Sequence, residues 1–292
     1  GVKDEKTPMW FMRQAGRYLP EYRALRASEP DFISYCLNSS KAAEATLEPV
    51  ERYDVDAAII FSDILMIPWA MGAGVHFVTG EGPKLTALDQ PDDIDRLSSE
   101  DMLTKLAPVG EALRLTRGGL DASKSLIGFC GAPWTVATYM IEGGSSRDFK
   151  KSRSWLWQNP EEMDRLLDRI ADESIRLLEM KAQSGADVLM VFDSWASAVP
   201  SYFQDRVVTR PMRRITDGLK SRGIKAPVIG FPKGIGENIL AYAEQAGING
   251  IGLDHSVDMR WADANLPKSL AVQGNLDPLS VITGGKEMLA SA

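Results

Sequence analysis

Seven short apolar runs, each bounded by turn residues and followed by a longer segment of helical period, restrict this chain to very few folds. They are Met9 to Met12, Asp56 to Phe61, Ser125 to Cys130, Asp187 to Phe192, Pro227 to Phe231, Ile248 to Leu253 and Leu270 to Gln273. Runs without polar alternation mark strands buried on both faces, as in a parallel sheet. The segments between them carry helix boundaries. Asn159 and Pro160 open one as cap and first residue, Met163, Leu166, Leu167, Ile170 and Leu177 form its stripe, and Gly185 ends it. Pro211 to Gly223 and Glu237 to Gly247 read the same way. Only the stretch from Phe61 to Ser125 exceeds a single crossover; Gly72 to Gly82 predicts a hairpin excursion there, and an acidic helix is expected from Asp92 onward.

Strand and helix alternating over 292 residues have two main solutions, a doubly wound open sheet or a closed barrel. The open sheet normally carries a phosphate loop after its first strand, and neither G-x-G-x-x-G nor G-x-x-x-x-G-K-[ST] comes after any run here. Lys233-Gly-Ile-Gly236 has the wrong spacing and reads as a strand-to-helix turn. The expected fold is therefore an α/β (β/α)8 TIM barrel, a single domain over residues 1–292. Seven runs are one short of closure, so the eighth strand is expected to be missing. Gly1 stands where an initiator Met would be, and the domain is expected to be truncated at both ends.

Lysine and arginine number 33 against 40 aspartates and glutamates, a formal charge of −7. Both signs are mixed along the chain, with none of the basic stripes that nucleic-acid binding requires. An anionic small molecule is compatible, because a few arginines in a cleft dominate the local field. The most apolar stretch, Leu65 to Val78, is broken by Pro68, Gly72 and Gly74 and is too short to span a bilayer, so no membrane partner is expected. Cys36 and Cys130 make no disulfide framework and lack a metal-ligand spacing; a cytoplasmic protein without a metal is expected.

Barrel active sites lie at the C-terminal ends of the strands. The seven runs end, in order, in Arg13-Gln-Ala-Gly-Arg17, Ser62-Asp63, Gly131-Ala-Pro-Trp134 with Tyr139 beyond, Asp193-Ser194, Pro232-Lys233, Asp254-His255 and Asn275. Arg13 and Arg17 are four apart, so one helical turn would aim both guanidinium groups the same way, with Gly16 letting a ligand approach the backbone. Two such forks suit carboxylates or phosphates; pairing with Glu21 or another surface acid is the plainer reading. Asp63 sits above an apolar floor and either caps a helix or serves a ligand. Tyr139 alone reads as core, Ser194 alone as a cap, and His76 and His255 as structural. Fixed positive charge, one carboxylate and hydroxyl groups suit a polycarboxylate substrate needing electrostatic stabilisation.

Two long stretches carry a resemblance. Thr7-Pro-Met-Trp-Phe-Met-Arg-Gln-Ala-Gly-Arg-Tyr-Leu-Pro-Glu-Tyr-Arg23 and Gly131-Ala-Pro-Trp-Thr-Val-Ala-Thr-Tyr-Met-Ile-Glu-Gly-Gly144 resemble the two signatures of the uroporphyrinogen decarboxylase family. Phe61-Ser-Asp-Ile-Leu65, Gly230-Phe-Pro-Lys-Gly234 and Gln273-Gly-Asn-Leu-Asp-Pro278 match in order, so the likeness spans the chain. It implies a (β/α)8 barrel, a homodimer, and decarboxylation of the four acetate side chains of uroporphyrinogen III to give coproporphyrinogen III without cofactor or metal. By the same resemblance Asp63, Arg13 and Tyr139 are the catalytic residues. Asp63 accepts hydrogen bonds from the pyrrole N–H groups, Tyr139 holds Asp63, and Arg13 stands beside the proton transfer. Arg13, Gln14, Ala15, Gly16, Arg17, Asp63, Tyr139 and Ser194 bind substrate. A guanidinium is a poor acid at neutral pH, so Arg13 either takes part itself or positions a carboxylic acid or water that delivers the proton.

The chain departs from the family where members carry a C-terminal strand and a Gly-His-Gly segment, which should come after Ala292. Two other functions compete. A corrinoid-dependent methyltransferase of the same superfamily would want His and Cys ligands for zinc at the strand ends. A non-catalytic tetrapyrrole-binding protein would bind without turnover.

Overall fold

The computed structural model describes residues 6–292. Three helices, α1 (Pro20–Ala27), α2 (Phe32–Leu37) and α3 (Ser39–Tyr53), lead to strand β1 (Ala57–Ile59). Then come α4 (Met66–Ala70), a hairpin of β2 (His76–Val78) and β3 (Gly82–Lys84), and α5 (Met102–Gly119). From there the chain runs β4 (Ser125–Gly131), α6 (Pro133–Glu142), α7 (Lys150–Gln158), α8 (Pro160–Gln183), β5 (Val188–Asp193) and α9 (Arg210–Ser221). It ends with β6 (Val228–Pro232), α10 (Ile239–Gln245), β7 (Gly250–Gly252), α11 (Met259–Asn265), β8 (Ala271–Gln273), α12 (Pro278–Thr283) and α13 (Lys286–Ser291).

Six strands form one sheet in the order β1-β4-β5-β6-β7-β8, every neighbouring pair parallel. Apart from the β2–β3 hairpin, spatial order is chain order, the winding of a (β/α) barrel; β1 and β8 are not bonded to each other, so the described strands make a half-barrel. The apolar runs predicted this well. Leu126, Ile127, Phe129 and Cys130 of β4 and Leu189 to Phe192 of β5 are all buried, because helices cover one face and the barrel interior the other. The stripe of α8 is buried as expected, and Gly185, Gly223 and Gly247 end their helices in the left-handed region. Among the described residues no helix is long and apolar enough to cross a membrane.

Two expectations fail. Met9 to Met12 is not a strand: its tie is to Asp56, through Asp56 N to Met9 O (2.8 Å) and Met9 N to Asp56 Oδ2 (2.6 Å), while Met9 and Phe11 stay exposed. With Pro8 before it and a side chain occupying one rung, the run cannot extend a ladder. The acidic segment from Asp92 makes only a 3-10 turn, Pro91–Arg96, before α5 begins at Met102. Asp93 turns its carboxylate back onto the amides of Asp89 and Gln90, a local bond that competes with helix propagation.

The β1–β4 ladder ends early, and the way it ends shapes the rim. Its last rung is Ile60 N to Ile127 O (3.0 Å), after which the Phe61 amide turns to Thr46 Oγ1 on α3 (2.9 Å). The freed carbonyl of Phe129 accepts instead from Lys181 Nζ (2.5 Å), an α8 lysine that is 1% exposed and lies 4.8 Å from the Phe129 ring centroid. Burial pushes this ammonium down to about 8, with the nearby Cys130 and Cys36 thiols opposing the shift.

On the outer layer α8 and α9 lie side by side. Asp164 receives Arg206 and Arg210, Asp168 receives Arg210, Asp172 receives Arg214 and Glu179 receives Arg222, at 2.6–3.1 Å. Both partners advance along their helices in the same sense, as parallel neighbours must. Between the last two pairs Gly218 faces Ile175, where an added Cβ would stand 2.3 Å from Ile175 Cδ1.

Candidate active site

After β1 leaves the sheet the chain makes a tight turn, in which Asp63 Oδ1 accepts from its own Leu65 amide (2.8 Å). This turn packs against the end of β4. A Cβ at Gly131 would stand 2.9 Å from Ile64 Cβ and 2.8 Å from Val136 Cγ2, so only glycine lets β4 and α6 approach the Asp63 turn this closely. Burial pushes the Asp63 carboxyl above its ordinary value, while the Leu65 amide and the Arg13 guanidinium pull it down. Burial likewise raises the Tyr139 phenol, on which Asp63 and Arg13 both act through space. Arg13, Asp63 and Tyr139 therefore share one electrostatic neighbourhood, though they come from three separate segments.

The Arg13–Arg17 stretch is not helical. It is an irregular turn, closed by Leu19 N to Gly16 O (3.0 Å), that precedes α1, so the expectation of two guanidinium groups aimed alike by one helical turn does not hold. Arg13, itself exposed, acts through space on Asp63, and Arg17 on Tyr22. Gln14 is buried between them; its Oε1 accepts from the Phe11 amide (3.1 Å), its carbonyl from the Tyr18 hydroxyl, and its Nε2 has no partner among the described residues. Ala15 and Gly16 are half-buried on the same turn. Ser194 lies just past β5 at the rim, half-buried. His76 lies exposed on the β2–β3 hairpin and His255 exposed after β7.

Several site residues escape a reading of the sequence. Phe129, Phe192 and Phe231 stand near the ends of adjacent strands and meet edge to face, at 5.5 and 6.1 Å between centroids. Phe192 and Phe231 share a rung and Phe129 lies two residues before it, so a phenylalanine near the end of three successive runs is a signal that the sequence does contain. Trp195 continues the aromatic wall outward, 6.3 Å from Tyr139 and 5.1 Å from Phe149. Beyond Phe149 a cleft of about 420 Å³ runs between Arg147, Arg153 and Ser197 to Pro200; it contains neither Asp63 nor Arg13. A buried carboxylate on which a guanidinium acts, with a phenol in the same electrostatic neighbourhood, can stabilise positive charge on a flat, N–H-bearing ring while the rim holds anionic substituents.

The uroporphyrinogen decarboxylase (URO-D) family model matches residues 1–292. The chain belongs to the uroporphyrinogen decarboxylase family. A protein named uroporphyrinogen decarboxylase from Granulibacter bethesdensis is 46% identical over 284 residues, covering 96% of this chain and 82% of the relative. Another so named, from Maricaulis maris, is 46% identical over 95% of this chain and 80% of its own length. Among solved structures, a methyltransferase from Methanosarcina mazei superposes with a TM-score of 0.75 at 17% identity, over 92% of this chain and 79% of its own. At that identity the likeness speaks for the fold only.

Proposed function

We propose that this uroporphyrinogen decarboxylase family member converts uroporphyrinogen III to coproporphyrinogen III by removing the carboxyl groups of its four acetate side chains, with no cofactor or metal. The observation that carries this reading is the whole-chain match to a family whose relatives are named uroporphyrinogen decarboxylase. The site chemistry supports it. A proton adds to the ring carbon next to the acetate-bearing one, making an iminium that acts as electron sink. The bond to the carboxylate breaks, its electron pair forms an exocyclic enamine, and carbon dioxide leaves. Protonation of the exocyclic carbon gives the methyl group, and loss of the first proton restores the pyrrole, so each acetate consumes one proton in total.

In this reading Asp63 accepts the pyrrole N–H bonds and stabilises the cationic intermediates. Burial raises the Asp63 carboxyl, and a cation beside it favours the charged form. Tyr139 keeps Asp63 in place, and Arg13 stands beside the proton transfer. Gln14, through an Nε2 without a partner among the described residues, joins the backbone of Ala15 and Gly16, Arg17 and Ser194 in holding substrate carboxylates. Residues 1–292 act as one barrel domain of a cytoplasmic homodimer. The exposed stack of Trp157 on Tyr202, centroids 6.1 Å apart, supports an association face.

Anaerobic incubation with uroporphyrinogen III, followed by chromatography of the oxidised porphyrins, tests the reading. Species with seven, six, five and four carboxyl groups should accumulate in turn. Binding without any loss of carboxyl groups would instead mark a non-catalytic tetrapyrrole carrier.

A further inference from the structure

Asp193 is the last residue of β5 and lies 3% exposed. Its neighbour Phe192 packs in the aromatic file inside the sheet, so Asp193 points the other way, into the layer between sheet and helices. Thr135 Oγ1 donates to Asp193 Oδ1 (2.6 Å) and accepts from the Trp195 amide (3.1 Å). Thr135 is the third residue of α6, whose cap, Ala132, offers no side-chain acceptor. The first amides of a helix have no partner within it, and a carboxylate there is favoured by the helix dipole. Asp193 thus stands from a neighbouring strand at the first turn of α6, bonded to the Thr135 hydroxyl where the helix has no side-chain cap of its own. Tyr139 sits one turn further along α6, on the same face as Thr135.

We infer that Asp193 is a positioning residue of this site, tying the first turn of α6 to the Ser194–Trp195 turn and so fixing where Tyr139 and Ser194 stand against the substrate. The inference rests on the decarboxylase reading above. Three further bonds close the same knot: Trp134 Nε1 to Trp195 O (2.9 Å), Ala132 N to Phe192 O (2.8 Å) and Lys233 N to Asp193 O (3.1 Å). Asp193 touches no substrate atom in this reading; it acts through Thr135.

The tie is sensitive to pH. The groups facing the carboxyl are the Thr135 hydroxyl and amide from α6 and the buried Tyr242 hydroxyl from α10; among the described residues no cation pairs with it. Burial raises its pKa to about 7, against the pull of the two Thr135 groups. The ionised form accepts the Thr135 hydroxyl bond, with the Thr135 amide also favouring its charge, and protonation weakens the acceptor. Placement should therefore tighten as pH rises through about 7, a window distinct from that of the substrate's own carboxyl groups.

The test compares wild type with Asp193→Asn, Thr135→Val and Thr135→Ser, reading kcat/KM on uroporphyrinogen III from about pH 5.5 to 8.5 and hydrogen exchange at the Trp195 amide. Wild type should rise to a plateau with its midpoint near 7. Asp193→Asn should be flat across that window and about tenfold or more below the plateau, the cost expected when a site group shifts by a fraction of an ångström. Thr135→Val should fall similarly, with Thr135→Ser within about twofold of wild type. Trp195 exchange should quicken about tenfold in the Asn and Val variants. Should Asp193→Asn not fold, the Val and Ser pair decides. Wild-type midpoint and plateau in Asp193→Asn, or unchanged Trp195 exchange in both variants, overturns the inference. Absence of turnover in wild type removes the decarboxylase reading instead, and the exchange measurement then decides alone whether the tie exists.

Discussion

Replacing Lys181 by methionine should reverse its effect on stability between neutral and alkaline pH. The lysine is wholly buried, hydrogen-bonded to the Phe129 carbonyl, and its pKa falls from 10.5 to about 8. At about 1.4 kcal/mol per pKa unit, keeping the ammonium charged inside the fold costs about 3 kcal/mol at pH 7. As pH rises the folded protein releases this proton near 8, while the unfolded chain holds it to 10.5. The unfolded state then binds more protons, and stability increases with pH. Integrated from pH 7 to about 9.5, the gain is about 2 kcal/mol. Methionine has no such dependence, but it leaves the Phe129 carbonyl buried without a donor, a cost of about 1–3 kcal/mol. Lys181→Met should therefore be as stable as wild type or up to about 2 kcal/mol more stable at pH 7. By about pH 9.5 it should have lost about 2 kcal/mol relative to wild type. Urea unfolding of both proteins, with tryptophan fluorescence read at several pH values, gives this difference with every other titration cancelled. A gap that stays constant within about 0.5 kcal/mol would refute the account of Lys181 as a charged wedge at the β1–β4 divergence.

The geometry sets further outcomes. Asp63→Asn, which keeps shape and removes charge, should lower turnover about 10²-fold or more with substrate affinity changed only a few-fold; unchanged turnover removes Asp63 from its assigned role. Arg17→Ala should act mainly on KM, as expected of a group that holds substrate carboxylates, and a large fall in kcat with KM unaltered would contradict that. Gly131→Ala should destabilise the fold by about 1–3 kcal/mol and reduce turnover through Ile64, as urea unfolding and steady-state rates on one preparation would show. In thiol titration Cys36 and Cys130 should both stay silent until the protein unfolds, because both are buried and burial raises both thiols, Cys130 to about 11.

The fold is legible where burial on both faces writes itself as an unbroken apolar run, as in β4, β5 and β6, and where proline and glycine mark helix ends, as around α8. Met9 to Met12 misleads because it is apolar without being paired; only the partner, Asp56, shows that. Asp63 and Tyr139 stand out by position or resemblance. Asp193 reads in the sequence only as a strand end, since its meaning depends on Thr135, 58 residues away. The helical reading of Arg13 and Arg17 assumes a regular backbone that Gln14 prevents by holding the Phe11 amide and the Tyr18 hydroxyl.

The ion pairs of α8 with α9 and with the π-helical turn that leads into it (Asp205–Thr209) are half-exposed, so each is worth little on its own, yet their spacing carries a problem of alignment. Asp164, Asp168 and Asp172 recur every fourth residue and so do Arg206, Arg210 and Arg214. Sliding one helix by a full turn, about 6 Å, would therefore re-pair most of the charges. Electrostatics can choose the partner and its direction but is nearly blind to this slip. The notch at Gly218, deep enough only for Ile175, is not periodic. It works like the key of a lock whose teeth are otherwise identical, letting a repeating charge pattern deliver β5 and β6 to the sheet at one height.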